Sequence, residues 1–348
     1  SGLKMQESRF RVAMSNLSDP SQTTIVLVAR PDKNTLKEAA RTSHELQMLG
    51  LGNQRLMING MFIASDRSDG VALSIEALGK NALAELPEGL RSIPQDRIPL
   101  RIFDMVGLGA LRQVLSVAPA VAQVSASAKE IAAPNLPGLS QLVDELSASG
   151  SGLIMVMGKG GVGKTTIAAA LAVGLVQRGY SVHLSTTDPA AHVIATLGEN
   201  MAGLTVDRID PKVETQRYIE KIMTARAKDL DEGALALLQE DLQSPCTEEV
   251  AVFHAFSHIV AEARSHFVVL DTAPTGHTLL LMDATGAYHR QMTKNVMPEK
   301  QGRIITPLMR LQDADYSKII LVALPETTPV SEAATLQEDL RRAKIEPF

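Results

Sequence analysis

The sequence predicts an α/β protein built on a doubly wound, mostly parallel sheet with helices on both faces. Three observations carry this prediction. A glycine-rich segment at residues 158–166 follows an apolar run and precedes apolar residues at helical spacing. Other apolar runs of strand length alternate with helical stretches along the chain. One of these runs, residues 267–271, ends in the carboxylate of Asp271, at the edge where such sheets bind their ligands.

Length and composition indicate a globular protein of about two domains. The chain has 348 residues, of which 45% are hydrophobic and 21% are charged, as in soluble globular proteins. A net charge of -5 gives no support to nucleic-acid binding. No apolar run approaches the roughly 20 residues that span a bilayer, and residues 1–20 show no secretory pattern. We therefore expect a cytoplasmic protein whose single cysteine, Cys246, stays reduced.

The first third of the chain is predicted to alternate between strands and helices. Asp19 and Pro20 indicate a turn before a first strand at residues 24–29. A helix is predicted from about Thr35, and Thr35 with Glu38 forms a candidate capping box for it. The other predicted elements here are a strand at 56–59, a charged helical stretch at 66–93, a strand at 98–103 and a short helix ending near 115.

The remaining two thirds begin with a predicted linker. Residues 116–150 are rich in Ala, Ser, Val and Pro, and contain one amphipathic helical stretch at 139–146. The charged region 211–242 is interpreted as a solvated helical pair, with a lid or partner surface as the alternative. The other predicted elements are strands at 153–157, 180–186, 267–271 and 318–324, and helices at 248–263 and 329–343.

The glycine-rich segment has the spacing of a P-loop, G-x-x-x-x-G-K-[ST]. Its residues are Gly158, Lys159, Gly160, Gly161, Val162, Gly163, Lys164, Thr165 and Thr166. Glycines allow backbone N–H groups to surround a triphosphate, Lys164 would reach its β- and γ-phosphates, and the Thr165 hydroxyl would ligate Mg²⁺. A structural glycine turn is the alternative, but the preceding strand and following helix favour a P-loop NTPase that binds ATP with Mg²⁺.

An internal repeat joins the two ends of the chain. At an offset of 294 residues, 24–31 matches 318–325, 38–40 matches 332–334, and Leu46 matches Leu340. A chance similarity is the alternative, but identities held in register through a strand and a helix favour duplication. We therefore predict that 1–117 is the C-terminal part of a first ATPase domain, 118–150 a linker, and 151–348 a second ATPase domain that lacks its C-terminal end.

The repeat leaves two arrangements open. In the first hypothesis, residues 24–117 complete the sheet of the P-loop unit by permutation. In the second, the two parts stay separate or pair between chains by swapping. The neighbours of the strand at 56–59 distinguish these arrangements.

Hydrolysis of ATP requires a metal ligand and a group that orients the attacking water. Asp271, at the end of its strand, is the candidate carboxylate beside the metal. Asp188, which follows the strand at 180–186, is the candidate for orienting and activating the water. Either aspartate alone is weak evidence for a catalytic role, because Asp-Pro also begins turns and carboxylates often cap strands. Together with Lys164 they predict a catalytic set.

The P-loop also has a second lysine, Lys159. The sequence GKGGVGKTT resembles the deviant P-loop of the signature-lysine ATPases. In that group the extra lysine reaches the nucleotide of a facing P-loop domain. The resemblance therefore implies that Lys159 is catalytic across an interface between two nucleotide domains. A solvated loop lysine is the alternative.

Two further segments resemble the arsenical pump-driving ATPase (ArsA) family, which includes the targeting factor for tail-anchored membrane proteins. Residues 271–278, DTAPTGHT, resemble the element that couples nucleotide state to a distal site in that family. Residues 244–249, SPCTEE, are similar to a segment that supplies a metalloid-binding cysteine. The resemblance implies an ATPase that binds arsenite or antimonite between two nucleotide domains and energises a membrane efflux carrier, peripheral to the inner membrane.

The resemblance also implies the metalloid ligands. Cys246 would supply a thiolate, which suits soft trivalent arsenic, with Ser244 and His277 as auxiliary ligands. Without the resemblance, Cys246 is equally a ligand or a small buried apolar residue. His254 and His258 lie four residues apart and are a second candidate metal pair. A structural role is favoured for this pair, because the sequence gives no evident third ligand.

Three functions remain open from the sequence. The first is ATP hydrolysis that drives metalloid efflux. The second is a targeting ATPase for tail-anchored proteins, which would favour a Cys-x-x-Cys zinc site that a chain with one cysteine lacks. The third is a nucleotide-binding regulatory fragment with little turnover.

Overall fold

The computed structural model describes residues 2–101, 103, 106–114, 136–187, 201–226, 238–240, 242, 245–272 and 305–348. Within these ranges, the side chains of 2–5, 225, 226, 245 and 246 are not described. The chain divides into two compact units, Ser1–Ile131 and Ala132–Phe348. Each unit has its own parallel sheet.

The first unit contains three strands and five described helices. The strands are β1 (Ile25–Ala29), β2 (Gln54–Met61) and β3 (Gln95–Pro99). The helices are α1 (Gly2–Ser18), α2 (Lys33–Met48), α3 (Gly70–Ala84), α4 (Glu88–Arg91) and α5 (Leu108–Val114).

The second unit contains five strands and six described helices. The strands are β4 (Gly152–Met157), β5 (Val182–Thr186), β6 (Leu204–Arg208), β7 (Phe267–Asp271) and β8 (Ser317–Leu321). The helices are α6 (Leu139–Ser147), α7 (Lys164–Gln177), α8 (Pro211–Arg226), α9 (Pro245–Glu262), α10 (Pro307–Leu311) and α11 (Thr327–Arg342).

In the first unit, β2 lies between β1 and β3, and both pairs are parallel. The permutation hypothesis is therefore wrong for the described residues, because the predicted strand at 56–59 pairs within its own unit. Leu56 and Ile58 are fully buried and join a core with residues of β1, α2, α3 and α4. This core is made of Leu27, Ala29, Leu36, Ala39, Leu56, Ile58, Ala82, Leu86, Leu90 and Ile93.

Local hydrogen bonds set two boundaries that differ from prediction. The side chain of Asp32 accepts from the backbone N–H groups of Asn34 and Thr35, so α2 begins at Lys33 and the predicted capping box at Thr35 is wrong. The Thr35 hydroxyl donates to the carbonyl of Arg30 at 2.8 Å. The third strand occupies Gln95–Pro99 rather than 98–103, and it begins directly after Pro94, whose carbonyl accepts from the Leu56 N–H.

The second sheet has the strand order β6-β5-β7-β4-β8, with every pair parallel. From β4 the chain passes to β5 and β6, returns to β7 beside β4, and then crosses to β8 on the other side. The strand order therefore reverses at β4. In open α/β sheets the crevice at such a switch point binds the ligand.

Helices cover both faces of the second sheet, which confirms the predicted doubly wound architecture. On one face, α6 and α7 pack through Val143, Leu146, Leu171 and Leu175 against buried residues of β4, β5 and β7. On the other face, α9, α10 and α11 supply Phe256, Val260, Leu311, Leu336 and Leu340 to a second core. The β4 strand is buried at all six positions, as a central parallel strand is expected to be.

The two ends of the chain have matching elements. Helix α2 spans 33–48 and α11 spans 327–342, so both boundaries differ by the offset of 294 found in the sequence. Ile25 pairs with Gln54 in the first sheet. At the same offset, the backbone N–H of Phe348 donates to the carbonyl of Ile319 at 2.9 Å. These matches support duplication of a strand-helix-strand unit, while the division into ATPase domain parts stays a prediction.

Candidate functional site

The glycine-rich segment joins the end of β4 to the start of α7, at the switch point of the second sheet. Met157 is the last residue of β4, and Lys164 is the first residue of α7. Gly160, Gly161, Gly163 and Thr166 are exposed, whereas Gly158 and Val162 are buried. The exposed glycines therefore form the outer surface of the loop, and Gly158 and Val162 form its buried side.

Three glycines are required by backbone geometry. Gly161 and Gly163 have φ angles of 79° and 93°, in the left-handed region that other residues rarely adopt. Gly158 has a φ of 152°, and a Cβ added there would come within 2.3 Å of the Val322 carbonyl oxygen. The backbone that follows β8 therefore packs directly against Gly158, the first residue of the loop.

Lys164 lies inside the loop rather than on the surface. Only 6% of this residue is exposed, and its ammonium group donates to the carbonyl oxygen of Lys159 at 2.9 Å. The side chain therefore spans the loop and holds a positive charge beneath the exposed glycines. A charge in this position complements an anion bound at the start of α7.

Asp271 ends β7 directly beside β4 and has no solvent exposure. Its Oδ2 accepts a hydrogen bond of 2.8 Å from the Thr165 hydroxyl. Strand pairing produces this contact, because Val156 of β4 is in register with Asp271 and Thr165 lies just beyond the loop that follows β4. The structure thus brings a hydroxyl and a carboxylate together from positions 106 residues apart.

Thr186 is a site residue that sequence reasoning missed. It pairs with Asp271 across β5 and β7, and its hydroxyl donates to Asp271 Oδ2 at 3.3 Å. The backbone N–H of Thr187 donates to the carbonyl oxygen of Asp271 at 2.9 Å. One signal in the sequence could have identified Thr186: it is a hydroxyl residue at the end of a buried strand, and the P-loop follows another strand at the same edge of the sheet.

Lys159 points away from the loop interior toward α11. Its ammonium nitrogen lies 3.4 Å from Glu332 Oε1, and both side chains are partly exposed. The two loop lysines therefore differ in environment: Lys164 is enclosed, and Lys159 is at the surface.

The structure describes only part of the predicted site. Asp188, Ser244 and His277 lie outside the described residues. Cys246 belongs to the first turn of α9, but its side chain is not described. The residues that the structure does bring together are Lys159, Lys164, Thr165 and Asp271.

The described residues fit a magnesium-bound triphosphate. The exposed glycines offer backbone N–H groups, Lys164 supplies a fixed positive charge, and Thr165 and Asp271 supply the oxygen atoms that Mg²⁺ prefers. The left-handed glycines keep the loop open, because a side chain at these positions would strain the backbone.

The predicted histidine pair on α9 does not form a two-histidine site. His254 stacks on Tyr218 with a ring separation of 5.4 Å. Burial, together with the nearby charge of Lys221, lowers the pKa of His254. His258 instead lies against Glu262, with its Nδ1 2.9 Å from Oε1.

Comparison with known proteins gives a family match over most of the chain. A family model described as anion-transporting ATPase matches residues 1–118 and 151–312. An arsenical pump-driving ATPase of Escherichia coli is 52% identical over 348 residues, which is 100% of this chain and 59% of that relative. A putative arsenical pump-driving ATPase of Halobacterium salinarum is 28% identical over 370 residues, 97% of this chain and 58% of that relative.

A more distant relative matches less than half of the chain. This ATPase GET3 of Malassezia globosa is 32% identical over 170 residues, 45% of this chain and 49% of that relative. The chain spans less than two thirds of the length of the curated arsenical pump-driving ATPases that it matches from end to end. Among the described residues, no helix is both long and apolar enough to cross a membrane.

Proposed function

This chain belongs to the anion-transporting ATPase family, and we propose that it binds ATP at the P-loop of its second unit and hydrolyses it to ADP and phosphate. One observation carries the proposal: the Thr165 hydroxyl donates to the buried Asp271 carboxylate at 2.8 Å, and the preceding residue, Lys164, has its ammonium group enclosed by the loop. A metal-ligating hydroxyl, a carboxylate behind it and a phosphate-binding lysine are the parts that ATP hydrolysis requires.

Each part of ATP has a proposed binding group. Backbone N–H groups of Gly160, Gly161 and Gly163 surround the phosphates, and Lys164 contacts their β- and γ-oxygens. Thr165 would ligate Mg²⁺, with Asp271 accepting from that hydroxyl and holding it in place. Magnesium, when bound, would offset the charge of the phosphate oxygens.

In the reaction, water adds to the γ-phosphorus while the bond from that phosphorus to the bridging oxygen breaks. The proposed role of Asp188 is to accept a hydrogen bond from this water and so to orient it. Asp188 follows the end of β5 by two residues in the sequence, and β5 is the neighbour of the strand that carries Asp271. Lys159 would stabilise charge on the nucleotide of a facing domain.

The proposed role of this hydrolysis is to drive efflux of arsenite or antimonite from the cytoplasm. The support is the 52% identity to a relative named as an arsenical pump-driving ATPase. A membrane carrier would be the partner, and Cys246 would bind the metalloid with Ser244 and His277. Trivalent arsenic and antimony are soft ions that prefer thiolate, so Cys246 is the principal ligand of this set.

The test is the rate of ATP hydrolysis with and without antimonite, measured on the chain alone and in the presence of a facing nucleotide domain. We expect turnover that antimonite stimulates when the facing domain is present. Cys246→Ser should remove the stimulation and keep the basal rate. ATP binding with no turnover in either form would instead indicate a regulatory nucleotide-binding protein.

A second variant tests the catalytic assignment. Asp188→Asn should lose turnover and still bind ATP, because the amide keeps the size of the side chain and removes its charge. Wild-type turnover in this variant would remove the proposed role of Asp188.

A further inference from the structure

A cluster of two histidines and a glutamate lies at the end of the second sheet opposite the P-loop. His183 is the second residue of β5, Glu262 is the last residue of α9, and His266 directly precedes β7. Their ligand atoms all lie within 4.8 Å of one another. We propose that His183, Glu262 and His266 bind a divalent transition-metal ion of the Zn²⁺ type, separate from the ATP site.

The distances are those of side chains that converge on one point. Glu262 Oε2 lies 2.7 Å from His183 Nδ1 and 3.7 Å from His266 Nε2. The two imidazole rings are 6.4 Å apart between centroids and tilted by 36°. Two imidazole nitrogens and one carboxylate oxygen form a set that Zn²⁺ and its neighbours prefer, whereas Mg²⁺ and Ca²⁺ prefer oxygen alone.

A second carboxylate stands behind His183 on the side away from the cluster. Asp207 of β6 has its Oδ1 3.2 Å from His183 Nε2. Histidines that bind metals commonly direct the other ring nitrogen to a carboxylate, which holds the proton there and fixes the ring. With a metal ion bound, the ring proton would lie on Nε2, which faces Asp207, and the lone pair of Nδ1 would face Glu262 and His266.

A proton on Nδ1 accounts for the 2.7 Å hydrogen bond between His183 and Glu262 when no metal ion is bound. His183 is almost fully buried between two carboxylates, Glu262 and Asp207, which stabilise a positive charge at this ring. A metal ion would replace the proton on Nδ1 and, unlike that proton, would also bind His266.

The helix explains why the ligands line up. His254, His258, Glu262 and His266 recur every four residues, so those on α9 follow one stripe of the helix. His258 is exposed and contacts the other oxygen of Glu262, where it can hold that carboxylate or complete the ligand set. His254 is turned to Tyr218 and takes no part. The proposed site therefore does not rest on the predicted histidine pair, and its ligands are Glu262 of α9 with His183 and His266.

A cavity gives the site an entry path. It has a volume of about 470 Å³ and lies between α8 and α9, and its lining includes Asp207, His258 and Glu262. Of the three proposed ligands, Glu262 is the one that lines this cavity, and His183 lies deeper. Once bound, the ion would tie the C-terminal end of α9 to β5 and to the start of β7, and it would stabilise the fold by mass action.

The test is metal binding by the full chain after chelator treatment, without nucleotide. Cys246→Ser is the background, so that the thiolate does not contribute. Co²⁺ is followed by its visible absorption, and Zn²⁺ by its displacement of Co²⁺. We expect one equivalent of Co²⁺ with a spectrum of mixed nitrogen and oxygen ligands, and a rise in Tm with added Zn²⁺.

Variants assign the binding to the cluster. His266→Ala and Glu262→Gln should weaken Co²⁺ binding by about 100-fold or more, and Asp207→Asn by about 10- to 100-fold through the orientation of His183. His254→Ala, on the same helix, should bind as the wild type does. His266 is partly exposed in a turn, so its variant tests the site even if Glu262→Gln fails to fold. Unchanged binding in His266→Ala, or no binding by the parent chain, would overturn the proposed site.

Discussion

The ammonium nitrogen of Lys159 lies 3.4 Å from Glu332 Oε1, in an ion pair that joins the P-loop to α11. The two side chains are 41% and 47% exposed, so solvent screens their attraction. Pairs of this kind contribute about 0–1 kcal/mol to stability. The ion pair therefore holds Lys159 only weakly within its own unit. Breaking it so that Lys159 can contact a more highly charged anion costs little free energy.

Replacing Glu332 or Lys159 should distinguish effects on stability from effects on ATP turnover. Glu332→Gln should change the free energy of unfolding by less than about 1 kcal/mol and leave ATP turnover in place. Lys159→Ala should change stability as little, but lower turnover by at least about tenfold, because in the proposed role its charge would act on the transition state of a facing nucleotide. Denaturant unfolding and ATPase rates measure the two effects. Wild-type turnover in Lys159→Ala would contradict the proposed role.

Asp271→Asn should lower the affinity of the site for Mg²⁺. The amide keeps the size of the side chain but removes the negative charge that the Thr165 hydroxyl contacts. We expect turnover to fall by about 10- to 100-fold and to require more Mg²⁺, as when the residue behind a metal ligand is altered. Thr186→Val is the matched control, because it removes only the longer 3.3 Å contact to the same oxygen. Equal losses in both variants would argue against a special role of the carboxylate charge.

Gly158→Ala should distort the P-loop. The added Cβ would meet the Val322 carbonyl oxygen at 2.3 Å, so either the loop or the backbone after β8 must move. We expect a loss of about 1–3 kcal/mol in stability and at least a tenfold loss in ATP affinity. Gly89→Ala is the control, because no atom lies within 4 Å of its added Cβ and its position in α4 is helical. ATP affinity unchanged in Gly158→Ala would show that the loop tolerates the displacement.

Glu76 makes the first unit sensitive to acid. Hydrogen bonds from Lys80 and the Ala64 N–H, together with the charge of Arg67, lower the pKa of Glu76 from 4.5 to about 2. The unfolded chain therefore takes up this proton first as the pH falls. The stability contributed by Glu76 is present above about pH 4.5 and is lost as the pH falls toward 2.

Hydrogen exchange of residues 64–80 measures this effect. Between pH 6 and pH 3, after correction for intrinsic rates, protection in the wild type should fall more than in Glu76→Gln. The variant should be less protected than the wild type at pH 6, because the glutamine keeps the shape but loses the charge. An identical pH dependence in the two proteins would assign the acid sensitivity to other groups.

Local patterns predicted the elements whose signals are strong and continuous. The buried strands β4 and β7 and the P-loop between β4 and α7 were located correctly, because parallel central strands are apolar along their whole length. The strand β6 was missed, since its residues at the sheet edge are only partly buried and include charged side chains. Helix α1 was missed as well, because its described side chains, at residues 6–18, are exposed and give no strong periodic signal.

Contacts between distant positions could not be predicted from local patterns. The hydroxyl of Thr186 contacts Asp271 only because β5 pairs with β7 in one particular register. His183 meets Glu262 and His266 for the same reason, since the sheet and α9 bring together residues that are 79 positions apart. The sequence supplies the residue types, and the strand order decides which of them meet.

ATP binding at the P-loop is the central claim, and calorimetric titration of the full chain with ATP and Mg²⁺ tests it most directly. We predict a Kd below about 1 mM and at least a tenfold weaker Kd in Lys164→Ala, because in the proposed site the enclosed ammonium group would contact the phosphates. Lys212→Ala, an exposed lysine on α8, should bind as the wild type does. No binding at millimolar ATP by a correctly folded chain, or equal affinity in Lys164→Ala, would contradict the account.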